Sequence, residues 1–262
     1  SILENANIED TTDSIRISVV GIEILVGSDA GDTFLISGTV PYSLVGGAGD
    51  DIFRLLNNAR LQGSLDGGAG QDTLDFSLYE TARNIILTAV GEDGFSGKEA
   101  ALTGGFANID NLIGSLADND RLTGLNDSGI FRLGTEQDEN VAQYENGGKI
   151  LTFSGIENLY GGNGDDLFEI RGQHSYNLYG GAGDDTFKFI GAAELEGTID
   201  GGSGVNTLDY SASGYKDSAD NNIGVTVDLS EGSATGVSNG AEDKVQNISN
   251  LIGSAYNDIL IG

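Results

Sequence analysis

Short segments rich in glycine and acidic residues recur along this chain at nearly constant spacing. In each half of the chain, successive segments begin 19 and then 21 residues apart. A repeat of about 20 residues is too short for a βαβ crossover, and it predicts one solenoid coil made of strand, turn, strand and turn. We call the segments glycine corners and number their residues from one to six. They begin at Gly27 (GSDAGD), Gly46 (GGAGDD), Gly67 (GGAGQD), Gly161 (GGNGDD), Gly180 (GGAGDD) and Gly201 (GGSGVN).

The whole pattern is duplicated. The stretch GIEILVGSDAGDTFLI from Gly21 parallels GIENLYGGNGDDLFEI from Gly155, 134 residues later. The duplication predicts two tandem modules, at 21–125 and 126–262, and residues 1–20 are expected to end a preceding coil or module. The junction around 125–150 has alternating stretches of its own, so it predicts more coil and not a flexible linker.

Apolar and polar residues alternate after each corner, as in Thr186-Phe187-Lys188-Phe189, and this period of two predicts strands. Phe53, Phe168 and Phe187 are therefore expected to point inward and to stack coil upon coil. The other alternating Phe and Tyr residues are expected in the core as well. Helical signals are weak, and FANIDNLIG from Phe106 is interpreted as a strand followed by a turn. The predicted class is all-β.

The charge of the chain points to a cationic partner. Asp and Glu number 41 against 12 Lys and Arg, a formal net charge of −29, and a compact state with this charge repels itself. We therefore expect a metal partner and no nucleic acid, which requires clustered basic residues. The absence of cysteine excludes disulfides and thiol catalysis. No apolar run is long enough to span a membrane, so no membrane insertion is expected. The N-terminus has neither Met nor a signal segment, which suggests a fragment of a longer chain.

The corners have the chemistry of an oxygen-only metal site. Glycines at positions one, two and four allow positive φ and close backbone approach, so main-chain carbonyls can turn toward a cation. An acid at position six adds a hard carboxylate ligand. Carboxylates and carbonyls suit Ca²⁺, which accepts 6 to 8 oxygens in flexible geometry, better than Zn²⁺ or Cu²⁺.

Four corners and their strands also match a known nonapeptide. GGAGDDIFR, GGAGQDTLD, GGNGDDLFE and GGAGDDTFK fit G-G-x-G-x-D-x-U-x, where U is a large apolar residue, and so resemble the RTX (haemolysin-type) calcium-binding repeats of very large bacterial surface and secreted proteins. The resemblance covers most of both modules. It implies a right-handed parallel β-roll or β-helix, with several Ca²⁺ ions between successive corners, exported by a type I route.

The resemblance also implies ligands, position by position. Position six supplies Asp51, Asp72, Asp166 and Asp185, and Asp32 despite its altered corner. Asn206 stands at position six without a charge, so its site is expected to be weak or deleted. Asp258 fits from GSAYND, and Asp120 needs one extra residue in GSLADND. The implied carbonyl ligands, at positions one and three, are Gly46, Ala48, Gly67, Ala69, Gly161, Asn163, Gly180 and Ala182.

One departure from the family pattern concerns spacing. RTX tracts repeat every nine residues and line both edges of the roll, whereas these corners recur at 19 and 21 residues and then lapse. We therefore expect calcium along one edge, in two clusters of about two or three ions. The intervening segments 76–107 and 210–246 are expected to add coils without metal and surface insertions. The position-five acids Asp50, Asp165 and Asp184 are expected to face solvent.

These observations favour a non-enzymatic, extracellular or cell-surface module that folds on Ca²⁺ outside the cell and serves as a stalk or adhesion element. Its expected partners are calcium and neighbouring modules, with a cell-surface or polysaccharide ligand as a further candidate. Two alternatives stay open: a β-helix acting on acidic polysaccharide, and a carbohydrate- or ice-binding face. No catalytic residue is predicted, since basic residues are scattered and the sole histidine, His174, is expected in a surface turn.

Overall fold

The structure is a computed structural model that describes residues 21–262. Segment 1–20, predicted to end a preceding coil or module, lies outside these residues. In the described part of the chain the secondary structure is β-strand, apart from one turn of 3₁₀ helix at Ser238–Gly240, and no helix there is long and apolar enough to cross a membrane. The predicted all-β class is confirmed.

The strands are short and follow one another closely. Those before residue 114 are β1 (Ile24–Val26), β2 (Thr33–Ile36), β3 (Thr39–Val40), β4 (Ser43–Ala48), β5 (Ile52–Leu56), β6 (Arg60–Leu61), β7 (Leu65–Ala69), β8 (Thr73–Leu78), β9 (Asn84–Val90), β10 (Phe95–Glu99), β11 (Leu102–Ile109) and β12 (Asn111–Ile113). Those after it are β13 (Arg121–Thr123), β14 (Ile130–Leu133), β15 (Ala142–Asn146), β16 (Lys149–Ser154), β17 (Asn158–Gly162), β18 (Leu167–His174), β19 (Asn177–Gly181), β20 (Thr186–Leu195), β21 (Ile199–Asp200), β22 (Thr207–Ser213), β23 (Thr226–Asp228), β24 (Ser233–Ala234), β25 (Val245–Gln246), β26 (Asn250–Ile252) and β27 (Ile259–Ile261).

The chain divides into two compact units. Unit 1 holds the described residues up to Asp120 together with Lys149–Gly155, and unit 2 holds Arg121–Gly148 and Ile156–Gly262. The strand β16 thus belongs to unit 1, although the sequence duplication places it in the second repeat.

Unit 1 has two sheets, and each repeating coil contributes a strand to both. One sheet contains β1-β4-β7-β11-β10-β9 in that order, and the other contains β2-β5-β8-β12-β16. The pairs β1–β4, β4–β7 and β7–β11 are parallel, as are all pairs of the second sheet. A glycine corner lies between the two strands of each of the first three coils. Parallel stacking at the repeat spacing is the arrangement expected of a β-solenoid.

Unit 2 repeats this plan. One sheet has the order β13-β17-β19-β21-β25, with every pair parallel, and the other has the order β15-β14-β18-β20-β22-β26. Within the second sheet only the β14–β15 pair is antiparallel. A small third sheet joins β24, β23 and β27. The junction sequence therefore forms strands and is not an unstructured linker: β14 continues the parallel ladder, whereas β15 pairs antiparallel with it and does not form the further coil that was predicted.

The segments between the corners form insertions. In unit 1, residues 76–107 complete a further coil through β11, but they first make an antiparallel excursion through β9 and β10. In unit 2, residues 210–246 contain the antiparallel pair β23–β24. Both excursions carry completely buried side chains, such as Ile85, Phe95 and Val227, so these segments pack into the core and the expectation of surface insertions is wrong for their paired strands.

The inward aromatic residues form stacks along the coils. Phe53, Phe168 and Phe187 are completely buried. The ring centroids of Phe168 and Phe187 are 4.9 Å apart, and Phe53 stacks on Phe34 at 4.8 Å. The prediction for these positions is confirmed, and the burial of each large apolar side chain contributes about 2–3 kcal/mol.

Two tyrosines contradict the expectation that all alternating aromatics are in the core. Tyr160 and Tyr179 are half-buried and stack on each other, with centroids 4.2 Å apart. The guanidinium of Arg121 lies 3.4 Å from the centroid of the Tyr160 ring. The preceding residues, Leu159 and Leu178, take the inner positions, and alternation then turns both tyrosines outward.

Candidate metal corners

The position-six side chains connect successive coils. The N–H of Asp32 donates to Oδ1 of Asp51 at 2.7 Å, and the N–H of Asp51 donates to Oδ1 of Asp72 at 2.8 Å. In unit 2 the N–H of Asp166 donates to Oδ1 of Asp185, also at 2.8 Å. Each acceptor carboxylate thus uses one oxygen to receive a backbone N–H of the preceding coil. The predicted position-six residues lie in a ladder within each unit.

The second oxygen of four carboxylates has no such partner. In each of them Oδ2 is buried and accepts no hydrogen bond, and the residue is at most 2% exposed. A buried charged oxygen without a donor or counter-ion costs several kcal/mol. We call the four corners bare corners, after Asp51, Asp72, Asp166 and Asp185.

The position-one glycine makes room for this oxygen. A Cβ on Gly46 would lie 2.1 Å from Oδ2 of Asp51 and 2.3 Å from the carbonyl oxygen of Gly67, the position-one residue of the next coil. The corresponding distances at Gly161 are 2.3 and 2.4 Å. A carboxylate oxygen and a carbonyl oxygen therefore converge on one space. Both are acceptors, so their approach is favourable when a cation or a proton lies between them.

The corner glycines have two different roles. Gly47 and Gly49, at positions two and four, have φ of 118° and 92°, in the left-handed region that favours glycine. A Cβ on Gly47 would also lie 2.2 Å from the carbonyl oxygen of Ser28 in the preceding coil. Gly46, at position one, has no positive φ, so the expectation of positive φ is wrong there. Position one is glycine because the converging oxygens leave no space for a Cβ.

Burial changes the acidity of the bare corners. It raises the pKa of Asp72 to about 6, that of Asp166 to about 7 and that of Asp185 to about 6, and it also raises the pKa of Asp51. The N–H donated from the preceding coil lowers each pKa but does not outweigh burial. Without metal these corners therefore retain protons to higher pH than ordinary carboxyls.

In corners with serine at position two, that serine donates hydrogen bonds to the carboxylate of the same corner. Both the N–H and the hydroxyl of Ser28 donate to Oδ2 of Asp32, at 2.6 and 2.9 Å. The N–H and the hydroxyl of Ser115 donate to Asp120, which also accepts the N–H of Arg83. The hydroxyl of Ser254 donates to Oδ1 of Asp258 at 2.6 Å. These three predicted ligands thus have internal donors, in contrast to the bare corners.

Asn206, predicted as a weak or deleted site, is completely buried. Its Oδ1 accepts the N–H of Asp185 at 3.0 Å, so it continues the ladder. Its Nδ2 donates to the carbonyl oxygen of Asn247 at 3.0 Å. The amide therefore pairs the same kind of carbonyl that faces a lone carboxylate oxygen in the bare corners.

The predicted carbonyl ligands fall into two sets. Those at position one include Gly67 and Gly180, whose oxygens face the carboxylates of Asp51 and Asp166. Those at position three lie in the pairing between coils, as Ala48 opposite Ala69 and Ala182 opposite Ser203 show. The ligand role of both sets stays a prediction.

Sequence reasoning missed one acid of the ladder. Asp110 is buried between β11 and β12, and its Oδ2 accepts the N–H of Asp72 at 3.0 Å. The carbonyl oxygen of Asn108 takes the position-one place, 2.1 Å from a Cβ on Gly67. No glycine corner precedes Asp110, so the motif could not find it. An acid directly before an apolar strand was the available signal.

The surrounding acids do not form a larger cluster. In residues 21–262 no three His, Cys, Asp or Glu side chains come together as a group able to hold a metal. The position-five acids Asp50, Asp165 and Asp184 are exposed, as expected. Each accepts a backbone N–H of the next coil. A metal at a bare corner would therefore depend on one or two carboxylates with main-chain carbonyls and water.

Polar side chains outside the corners make contacts within the protein. The expectation of a surface turn at His174 is wrong: the residue ends β18, where it pairs with Leu195 of β20, and its Nε2 lies 2.8 Å from the carbonyl oxygen of Arg171. An open cleft of about 610 Å³ lies over β9, β10 and β11, with Lys98 and Glu99 in its lining. Glu99 is paired with Arg83 at 2.8 Å.

No protein-family model matches this chain, and a comparison with curated proteins finds no significant match.

Proposed function

We propose that this chain is a non-enzymatic, calcium-binding segment of a large secreted or cell-surface bacterial protein. It is a right-handed parallel β-roll or β-helix of the RTX type, exported by a type I route. It folds on Ca²⁺ outside the cell and serves as a stalk or adhesion module joined to neighbouring modules.

The observation that carries the proposal is the set of four buried carboxylate oxygens without a donor. At Asp51, Oδ2 and the carbonyl oxygen of Gly67 converge on one space, and both are hard oxygen ligands of the kind that Ca²⁺ prefers. The position-three carbonyls, the neighbouring ladder carboxylate and water are the candidates for the remaining ligands. A bound divalent ion would compensate the buried charge.

The charge of the chain supports a folding switch. With a formal net charge of −29, the metal-free chain repels itself, and the buried carboxylates oppose its compact state. Calcium is scarce in the cytoplasm and plentiful outside, so export and folding are separated in space. Metal that binds only the folded chain contributes its binding free energy to folding.

The test is calcium titration of the chelator-treated chain, followed by far-UV circular dichroism, with magnesium as the control ion. We expect a cooperative gain of β-structure that calcium causes and magnesium does not. Asp185→Ala removes a bare-corner carboxylate and should shift the transition to higher calcium. The matched control is Asp184→Asn, which changes the adjacent exposed acid and keeps an oxygen acceptor. A spectrum indifferent to calcium, or equal shifts in both variants, would overturn the proposal.

A further inference from the structure

The glycine corners differ in what lies next to the position-one glycine. In the bare corners it is a carboxylate oxygen without a donor. In the other corners, an amide or hydroxyl group of the protein lies in this space, or an N–H or O–H group donates a hydrogen bond to the carboxylate there. The ladder of backbone hydrogen bonds continues through both kinds of corner, so equivalent atoms occupy equivalent places in each.

The Asn206 corner shows the substitution directly. A Cβ on Gly201 would lie 2.5 Å from Nδ2 of Asn206 and 2.2 Å from the carbonyl oxygen of Asn247. At Gly180, in the preceding coil, the equivalent atom is Oδ2 of Asp185, at 2.1 Å. The amide thus places an N–H donor where a bare corner has a charged oxygen, and the carbonyl accepts it at 3.0 Å.

A tyrosine fills the corner that precedes Asp166 in unit 2. This corner, GLNDSG from Gly124, has Gly129 at position six, and the N–H of Gly129 donates to Oδ1 of Asp166 at 2.7 Å. The missing side chain is replaced by Tyr144, whose hydroxyl would lie 2.4 Å from a Cβ on Gly129. The N–H of Leu125 donates to this hydroxyl at 2.9 Å. A neutral phenol therefore takes the place of an aspartate.

The serine corners solve the same problem with added donors. Two hydrogen bonds from Ser28 converge on Oδ2 of Asp32, whereas Oδ2 of Asp51 in the next coil receives none. The sequence difference at position two is serine against glycine: Gly47 has no hydroxyl and a φ of 118°. Ser28 has no positive φ, and its N–H is directed at the carboxylate.

We infer that these internal groups replace the metal, so that Asn206, Tyr144 and the serines at position two confine calcium to the four bare corners. The inference rests on the proposed function and adds the residues that decide which corners bind. In both units the corner before the first bare corner carries such a group. Those coils are then expected to keep their structure without calcium and to serve as fixed starting points for the metal-dependent ones.

The test counts calcium ions per chain by equilibrium dialysis, for wild type and for variants that exchange the two kinds of corner. Asn206→Asp removes the amide donor and should add one ion. Asp185→Asn supplies an amide donor and should remove one ion while the calcium-saturated circular dichroism spectrum is kept. Asn58→Asp, an exposed residue outside the corners, adds the same charge as Asn206→Asp and should leave the count unchanged. If Asn206→Asp does not fold, Ser28→Gly tests the same rule at Asp32 and should also add one ion.

The outcomes separate the two proposals. A wild type that binds calcium, with no added ion in a folded Asn206→Asp or Ser28→Gly variant, overturns this inference and leaves the proposed function standing. A wild type that binds no calcium overturns the proposed function, and the inference with it. Loss of all ions in Asp185→Asn would also contradict the inference, because a single corner should be converted.

Discussion

Acidification should stabilise the calcium-free chain between pH 7 and about pH 4.5. The pKa of Asp72 is raised from 3.8 to about 6 and that of Asp166 from 3.8 to about 7, both mainly by burial. Between the unfolded and folded pKa values the folded state binds more protons, so the free energy of unfolding falls as the pH rises. The shift at Asp72 corresponds to at most about 3 kcal/mol. The corners interact along the ladder, so their contributions do not simply add.

A carboxyl group with a lowered pKa has the opposite effect and limits the stability of the folded chain at low pH. Burial of Asp75 is outweighed by hydrogen bonds from Ser77 and Arg54, so its pKa is lowered. The stability that this group contributes is present above pH 3.8 and is lost as the pH falls below that value. We therefore expect the calcium-free chain to be most stable between about pH 4 and 5.

The assay is far-UV circular dichroism of the calcium-free chain at about pH 7.5, 6.5, 5.5 and 4.5. The β-structure signal should rise as the pH is lowered, because protonation removes the buried charges that oppose folding. The matched variant replaces Asp72, Asp166 and Asp185 with Asn, and its signal should change less over this range. A wild-type signal that is constant, or that rises from pH 5 to 7, would refute the role given to the buried carboxyls.

Two further substitutions test packing at saturating calcium by urea unfolding. Gly46→Ala places a methyl group against converging oxygens, one of them a backbone atom, and should cost about 2 kcal/mol or more. Gly214→Ala is its control, since the nearest atom to the added methyl lies 3.9 Å away, and equal losses in both would contradict the steric role of position one. Phe168→Ala should cost about 3–5 kcal/mol through loss of a stacked, buried ring. Leu35→Ala, at a residue 57% exposed, should cost less than about 1 kcal/mol, and a similarly small loss at Phe168 would refute its place in the core.

Local patterns predicted the coils well because the repeat is itself local. The spacing of the corners and the alternation after them predicted strands that pair one coil apart, and Phe53 and Phe187 lie inside as expected. The same alternation gave a wrong prediction for Tyr160 and Tyr179. In each strand the leucine before the tyrosine points inward, so the tyrosine points outward.

The sequence did not distinguish the corner carboxylates that receive hydrogen bonds from their own corner from those that keep one buried oxygen without a donor. The motif treats every acid at position six alike, but the donors of Ser28 reach Asp32, whereas Asp51 in the next coil keeps a lone buried oxygen. Tyr144 was not suspected, because it lies 15 residues along the chain from the corner that it fills. Asp110 was missed because the backbone around Asn108 and β12, and not a glycine motif, brings it into the ladder.

By itself the sequence determined the all-β class, the coil length and the positions of the corners, since each follows from spacing or alternation. Only the tertiary structure decided which corner carboxylates have a donor. That outcome depends on which atoms of the next coil, or of a distant strand, enter the space beside the position-one glycine, and stacking of coils determines those neighbours.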